Sequence, residues 1–229
     1  MKFKIVSLFV LCAILISCGT SRQGGKKQRK GTKAQVVLTP EQQRKYDYFF
    51  LEASRLKMKD DYSAAFDLLQ HCLTINPNAS SALYEISQYY MYLKQVPQGQ
   101  AALEKAVEND PDNYWYSQGL ASLYQQQNEM QKATNLLENM ATRFSDRMDP
   151  LYSLLDIYNR LEEYDNVITT LNRLEEKMGK NEQLSMEKFR IYLQKKDNQS
   201  AFREIESLVE EYPMDMRYQV ILGLSLIHI

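Results

Sequence analysis

Residues Asp61–Pro77, DYSAAFDLLQHCLTINP, decide the fold because their pattern returns at a constant interval along the chain. The stretch carries a small residue at Ala65, apolar residues at Leu69 and Cys72, and a closing proline at Pro77. The same four positions are occupied in the next four steps by Gly99, Leu103, Ala106 and Pro111; by Ala133, Leu137, Met140 and Ser145; by Val167, Leu171, Leu174 and Gly179; and by Ala201, Ile205, Leu208 and Pro213. The interval is 34 residues each time, and an uninterrupted period of this length indicates a solenoid of stacked repeats.

Each repeat is predicted to contain two helices joined by a tight turn. Thr39-Pro40-Glu41-Gln42 is typical of a helix start, because threonine caps, proline suits the first helical position and glutamine closes a capping box. The apolar residues that follow have the spacing of one helical face, at Tyr46, Phe49, Phe50, Ala53 and Leu56. Residues 59–61 interrupt this pattern, and a second helix is predicted as far as Ile75, where Pro77 prevents its continuation.

This pattern resembles the tetratricopeptide repeat family. If position 1 of the family's repeat is placed at residues 46, 80, 114, 148 and 182, its small eighth residue falls on Ala53, Ser87, Ala121, Leu155 and Phe189. Its bulky eleventh residue falls on Leu56, Tyr90, Tyr124, Tyr158 and Tyr192. The resemblance implies an all-α, right-handed α-solenoid over residues 39–223, with repeats at about 46–79, 80–113, 114–147, 148–181 and 182–215 and the start of a sixth at 216.

The resemblance also implies where a partner would bind. In this family the first helix of each repeat lines a concave groove, chiefly through positions 2, 5, 9 and 12–13. The candidate groove residues at these positions are Phe50, Tyr84, Gln88, Trp115, Gln118, Tyr152 and Asp156. Aromatic side chains on such a face offer a large contact area at low entropic cost. The alternative is that the aromatic rings only pack against neighbouring helices. The lysine and asparagine set with which some relatives hold a terminal carboxylate is absent.

No catalytic residue, metal site or cofactor site is predicted. His71 is the only histidine before residue 224, whereas a metal site needs three or four ligands at compatible spacing. Nucleic acid is an unexpected partner as well. The chain has 28 basic and 29 acidic residues, and eight of the basic ones but none of the acidic ones precede residue 39. The remainder therefore carries 20 basic against 29 acidic side chains, a poor match to a phosphate backbone.

Residues 1–17 are predicted to be a signal peptide, with a basic start followed by an apolar segment too short to span a bilayer comfortably. They end in Leu15-Ile16-Ser17-Cys18-Gly19, which resembles the lipobox of bacterial lipoproteins. In that family the cysteine is lipidated and becomes the first residue of the mature protein, so the resemblance implies lipidation of Cys18 and a membrane anchor. The alternatives are an ordinary secretory signal and an uncleaved anchor.

Two further segments lie outside the predicted repeats. Residues 18–38 are glycine-rich and basic, as expected for a flexible tether that either lies along an anionic membrane or acts as a solvated spacer. At the other end, residues 224–229, LSLIHI, match a translated sequencing-library adaptor. We interpret them as an artefact on a gene truncated at its 3′ end. The alternative is a genuine apolar helix end that serves as a dimer interface.

Taken together, the sequence predicts a lipid-anchored, non-catalytic scaffold for protein or peptide partners in a bacterial envelope. The glycine after Cys18 favours the outer membrane, and a tether without an acidic run favours its periplasmic side over the surface display known in Bacteroidota-like lipoproteins; both rules come from the lipoprotein resemblance. Two alternatives remain: a lipoprotein that binds a glycan or small ligand, and the docking arm of an enzyme whose catalytic domain lies beyond this sequence. The partner, the organism, the number of repeats and the oligomeric state are left open.

Overall fold

A computed structural model describes the backbone of residues 37–227 and the side chains as far as residue 224. In this range the chain forms eleven α-helices and no β-strand. The helices are α1 Pro40–Lys57, α2 Tyr62–Ile75, α3 Ser80–Tyr92, α4 Val96–Asn109, α5 Tyr114–Gln126, α6 Met130–Arg143, α7 Asp149–Arg160, α8 Tyr164–Met178, α9 Glu182–Gln194, α10 Asn198–Glu211 and α11 Met216–Ile227. The predicted signal peptide, Cys18, residues 18–36 of the tether and the last two residues lie outside the described residues.

The helices pair in sequence order, since each packs against the one before it and the one after it. The second helix of each repeat begins at the same repeat position every time, at Tyr62, Val96, Met130, Tyr164 and Asn198. The predicted helix start is also present, because Thr39 caps α1 with a reciprocal capping box to Gln42. The prediction of an all-α repeat solenoid is therefore confirmed.

The turn inside every repeat has the same backbone conformation. One residue in each turn has a positive φ of 56–62° although none is glycine: Asp60, Lys94, Asn128, Glu162 and Lys196. The next amide N–H then donates to the carbonyl five residues back, as from Gln95 to Tyr90 at 2.8 Å and from Glu129 to Tyr124 at 2.8 Å. This bond satisfies a carbonyl at the helix end and reverses the chain. The carbonyl belongs in each repeat to the eleventh residue.

Small residues let the two helices of a repeat approach closely. Ala65 and Ala133 are fully buried at the position where the sequence predicted a small side chain. At the equivalent Gly99, an added Cβ would lie 2.6 Å from the Met91 side chain and 3.1 Å from the Ser87 carbonyl oxygen. A larger residue would require the Met91 side chain to move and the α3 backbone at Ser87 to shift by a few tenths of an ångström, because protein interiors are close-packed.

A charged cluster interrupts the apolar core between the fourth and fifth repeats. Lys188 on α9 is only 2 % exposed, at the repeat position that holds Ile86 and Leu120 in the second and third repeats. Its ammonium lies 2.8 Å from the Glu175 carboxylate and 3.0 Å from that of Glu204. Because a buried charge is tolerated only when it is paired, these contacts explain how a lysine replaces an aliphatic residue here.

The same cluster shifts the pKa values of its members. Burial alone would raise the pKa of the Glu175 carboxyl, but the hydrogen bonds and charges of Lys188 and Lys180 outweigh burial and hold the pKa below its ordinary value. Burial likewise opposes the charge of Lys188, and the two glutamates more than compensate, so its pKa is raised. Glu175 therefore contributes stability that is present above the ordinary glutamate pKa and is lost as the pH falls through its lower folded value.

The left-handed turns predict a stabilising substitution. Glu162→Gly should raise the free energy of unfolding by about 0.5–1 kcal/mol. Glycine adopts a positive φ without the steric cost that a Cβ causes, and this gain exceeds the loss from the greater entropy of the unfolded chain that contains glycine. Urea unfolding measures the change. The matched control is Glu176→Gly, an exposed position within α8, which should lose about 0.5–1 kcal/mol. A loss of stability in both variants would contradict the turn geometry.

The charged cluster predicts a pH-dependent loss. Lys188→Met should lower the free energy of unfolding by about 2–4 kcal/mol at pH 7, because Glu175 and Glu204 lose the nearer and more deeply buried of the two lysines that they share. The deficit should shrink at about pH 4, because in the variant the Glu175 carboxyl, no longer held ionised by Lys188, can take up a proton instead of remaining a poorly paired buried charge. Chemical unfolding at the two pH values tests this. Lys195→Met, which removes only a surface pair with Asp165, should cost less than about 1 kcal/mol. Equal deficits for Lys188→Met at both pH values would refute the assignment.

Candidate functional site

The first helices of repeats one to three line an open hollow of about 390 Å³ that we call the aromatic hollow. Its lining residues are Phe50 from α1, Ser81, Tyr84 and Glu85 from α3, Trp115 and Tyr116 from α5, and Asn113 just before α5. Three of the predicted groove residues, Phe50, Tyr84 and Trp115, are thus brought together. They lie on three separate helices because the constant register of the repeats places equivalent positions side by side.

The rings of the aromatic hollow are held in place by local contacts. The rings of Tyr84 and Tyr116 lie with their centroids 4.9 Å apart. The side chain of Asn113 accepts a hydrogen bond from the Trp115 amide at 3.1 Å and so caps α5, in whose first turn the tryptophan lies. Trp115 is nevertheless 62 % exposed. A large ring on a fixed backbone that still faces solvent is suited to contact with another molecule.

Arg147 contacts Trp115, the most exposed ring of the aromatic hollow. The Arg147 guanidinium lies 4.0 Å from the ring centroid of Tyr114 and 5.5 Å from that of Trp115. The rings of Tyr114 and Trp115 meet edge to face at 5.3 Å. The carboxylate of Asp149 lies 3.9 Å from Arg147. Trp115 therefore already takes part in a cation–π contact within the protein.

One carboxylate, that of Glu85, lines the aromatic hollow. The Glu85 carboxylate accepts a hydrogen bond from the Lys57 ammonium through Oε2 at 2.7 Å. Burial raises the pKa of the Tyr116 hydroxyl, and the charges of Asp110 and Glu85 raise it further. Ser81 shares a hydrogen bond with the Tyr46 hydroxyl at 3.0 Å, which ties α3 to α1 under the site.

A second hollow, of about 430 Å³, is lined by Lys57, Tyr62, Gln88, Tyr89 and Tyr92. We call it the tyrosine hollow. Tyr92 is 82 % exposed at its edge, whereas Tyr89 is almost fully buried. The predicted groove residue Gln88 lies here, apart from Phe50, Tyr84 and Trp115.

The remaining predicted groove residues line neither hollow. Gln118 accepts a hydrogen bond from the Tyr114 hydroxyl at 3.0 Å, and Asp156 pairs with Arg160 at 3.9 Å. Tyr152, on α7, is about half exposed, and its hydroxyl donates to the Met178 sulfur at 3.4 Å. Contact of any of the seven residues with a partner stays a prediction.

Glu85, Asn113 and Tyr116 are the site residues that sequence reasoning missed. Ser81 stands at repeat position 2, which the resemblance assigns to the groove, although its side chain is small and polar. Glu85 and Tyr116 occupy positions 6 and 3 of their repeats, next to the positions that the resemblance assigns to the groove. No spacing rule separates such neighbours, because the tilt of each helix decides which of them reaches the hollow.

The reactive side chains outside the two hollows have structural surroundings. Cys72 is fully buried and burial raises the pKa of its thiol to about 11, which disfavours a thiolate. His71 is exposed, and its ring lies 5.6 Å from that of Phe49. Within the described range 37–227, no group of three or more histidine, cysteine or acidic side chains is placed to hold a metal ion. No helix in that range is long and apolar enough to cross a bilayer.

Comparison with known proteins agrees with this architecture. The family model for the tetratricopeptide repeat matches residues 80–113, the second of the predicted repeats. Comparison of the sequence with curated proteins finds no match. The region that matches the family model covers α3 and α4 together with the left-handed turn at Lys94.

Solved structures extend the likeness to most of the chain. A tetratricopeptide repeat protein from Parabacteroides merdae ATCC 43184 is 16 % identical and covers 80 % of this chain and 73 % of its own, with a TM-score of 0.55. The MamA protein is 18 % identical and covers 77 % and 96 %, with a TM-score of 0.54. YrrB, described as a tetratricopeptide repeat protein with an unusual peptide-binding site, is 13 % identical and covers 76 % and 89 %, with a TM-score of 0.52.

At these identities the likeness establishes the fold. The class is that of all-α helical-repeat solenoids. Within that class, residues 80–113 match the tetratricopeptide repeat, and two of the solved structures to which the chain is similar are tetratricopeptide repeat proteins.

Exposure separates a contact residue from a packing residue in the aromatic hollow. Trp115→Ala should lower the free energy of unfolding by less than about 1 kcal/mol, because most of the ring is in solvent. Tyr84→Ala should cost about 1–3 kcal/mol, because its half-buried ring packs on Tyr116. Midpoints of urea unfolding at unchanged slope give both values. If Trp115→Ala proves the more costly, the tryptophan is a packing residue.

Proposed function

We propose that this protein is a non-catalytic scaffold that holds a protein or peptide partner in the aromatic hollow at the surface of a bacterial envelope membrane. The observation that carries the proposal is the convergence of Phe50, Tyr84, Trp115 and Tyr116 from three helices on one solvent-facing hollow. Rigid aromatic residues lose little entropy on binding, and the tetratricopeptide fold is consistent with such a role.

The membrane part of the proposal rests on the sequence. Lipidation of Cys18 after removal of the signal peptide would anchor the chain, and the basic residues of the tether would keep it close to anionic lipid. Confinement to a surface raises the local concentration of a partner on the same membrane without any new contact. We propose the periplasmic face of an outer membrane as the location.

One observation favours a second candidate, a glycan or another small polar ligand. Ser81 and Asn113 place a hydroxyl and an amide beside the Trp115 ring in the same hollow. Sugars are recognised by such combinations of a stacking ring with polar partners. Titration of neutral oligosaccharides against the fluorescence of Trp115, the single tryptophan, distinguishes this candidate from a scaffold. A saturable response would favour the glycan, and no response would favour the scaffold.

Photo-cross-linking in intact cells tests the scaffold. A cross-linking amino acid placed at Tyr84 or Trp115 should give discrete adducts with another protein, because both positions line the hollow. Asn139 on α6 and Asn172 on α8 are exposed positions on second helices and serve as matched controls. Adducts should be strong at the first pair and weak or absent at the controls. Adducts of equal yield at all four positions would contradict a partner site in the aromatic hollow.

The same cells test the anchor. Metabolic labelling with palmitate should mark the protein, and Cys18→Ala should abolish the label. It should also reduce the adducts at Trp115, because the protein is no longer confined to the membrane. Persistence of the label in Cys18→Ala would refute lipidation at this residue while leaving the solenoid and its hollow unaffected.

A further inference from the structure

The aromatic hollow combines four aromatic rings with one carboxylate. Phe50, Tyr84, Trp115 and Tyr116 supply the rings, and Glu85 supplies the charge. The face of an aromatic ring is electron-rich and attracts a cation, an attraction that grows when water is displaced. A carboxylate beside such rings adds a charge-assisted hydrogen bond. The chemistry of the lining is therefore complementary to a positively charged ligand.

The charges around the hollow agree with this interpretation. Glu85 uses Oε2 for its bond to Lys57, and among residues 37–227 no hydrogen bond occupies its Oε1. Asp110 and Glu85 both act on the Tyr116 hydroxyl. Two cations lie beside lining residues. Lys57, which itself lines the tyrosine hollow, is bonded to Glu85, and Arg147, near the Trp115 ring, has Asp149 at 3.9 Å. The acids thus balance the protein's own cations and leave a carboxylate oxygen available.

We propose that the aromatic hollow receives an arginine side chain of the partner protein, with the guanidinium stacked on the rings and hydrogen-bonded to Glu85. The inference rests on the proposed function and names the chemistry of the partner. Arginine fits better than lysine because its planar guanidinium stacks on aromatic faces and forms two parallel hydrogen bonds with a carboxylate. Arg147 shows the same stacking within this protein, 4.0 Å from the ring centroid of Tyr114.

Lys57 gives the proposal a specific consequence. Its ammonium lies 2.7 Å from the carboxylate that the incoming guanidinium would use, so it competes for that carboxylate and repels the ligand. Removal of Glu85 should weaken binding, whereas removal of Lys57 should strengthen it. A pair that merely held α1 to α3 would not give opposite signs, since both substitutions would break the same contact.

The experiment uses the full, lipidated chain in detergent micelles, with the fluorescence of Trp115 as the signal. The probes are N-acetylarginine methylamide and its uncharged isostere, N-acetylcitrulline methylamide. The arginine probe should change the fluorescence saturably, and the citrulline probe should need at least about fivefold higher concentration. Glu85→Gln should weaken the arginine response about three- to tenfold, and Lys57→Gln should strengthen it about two- to fivefold.

Glu206→Gln, which removes an exposed carboxylate on α10, is the matched control and should leave the response unchanged. Far-UV circular dichroism shows that each variant is folded. Equal responses to the two probes, or a weaker response in both Glu85→Gln and Lys57→Gln, would overturn the inference. In that event, cross-links from Tyr84 and Trp115 would still support a partner site. Their absence would remove the proposed function as well.

Discussion

The constraint on which the whole structure depends is the turn between the two helices of each repeat. In all five turns one residue is held at positive φ, and the following amide reaches back five residues to the carbonyl of the eleventh repeat residue. None of the five residues is glycine, so each turn stores a small steric cost. The packing of the helix pair must outweigh that cost. Buried small residues such as Ala65 and Ala133 allow it, because they let the paired helices approach closely.

Because the turn has the same geometry in every repeat, equivalent residues of successive repeats lie side by side, and the aromatic hollow is formed in this way. Phe50 and Tyr84 are one repeat apart and therefore occupy equivalent places on α1 and α3. Trp115 belongs to the next first helix, where Asn113 caps α5 and fixes the start of the helix that carries it. Contacts between repeats follow the same register, because the hydroxyls of Tyr124 and Tyr158 reach Glu104 and Glu138 in the preceding repeats. The hollow is thus a product of periodicity rather than of any one loop.

The sequence was sufficient for the fold because periodicity is a property of the chain as a whole. It was less sufficient for the site. Phe50, Tyr84 and Trp115 line the aromatic hollow together, whereas Gln88 lies in the tyrosine hollow and Glu85 was missed. Contact of these residues with a partner stays a prediction. Neighbouring helical residues point about 100° apart, so a small rotation of the helix decides which one lines a hollow.

The repeat pattern could not predict the charged cluster at Lys188 either. The position calls for an aliphatic side chain, and the partners Glu175 and Glu204 lie on other helices. Only the packed structure shows that the three charges meet. At this position, ion pairs take the place of the apolar contacts that the aliphatic side chain makes in other repeats.

The central claim is that the constant register of the repeats alone positions the helices. Removal of residues 103–136, one whole repeat length that joins Ala102 to Leu137 inside a second helix, tests it most directly against removal of residues 103–135, which leaves one extra residue inside that helix. A nearest-neighbour solenoid predicts that the whole-repeat deletion still unfolds cooperatively and keeps its helical content per residue in circular dichroism. The shorter deletion should melt lower or lose cooperativity, because the part of that helix after the junction is rotated by about 100° against its neighbours. Indistinguishable melting of the two deletions would contradict the account.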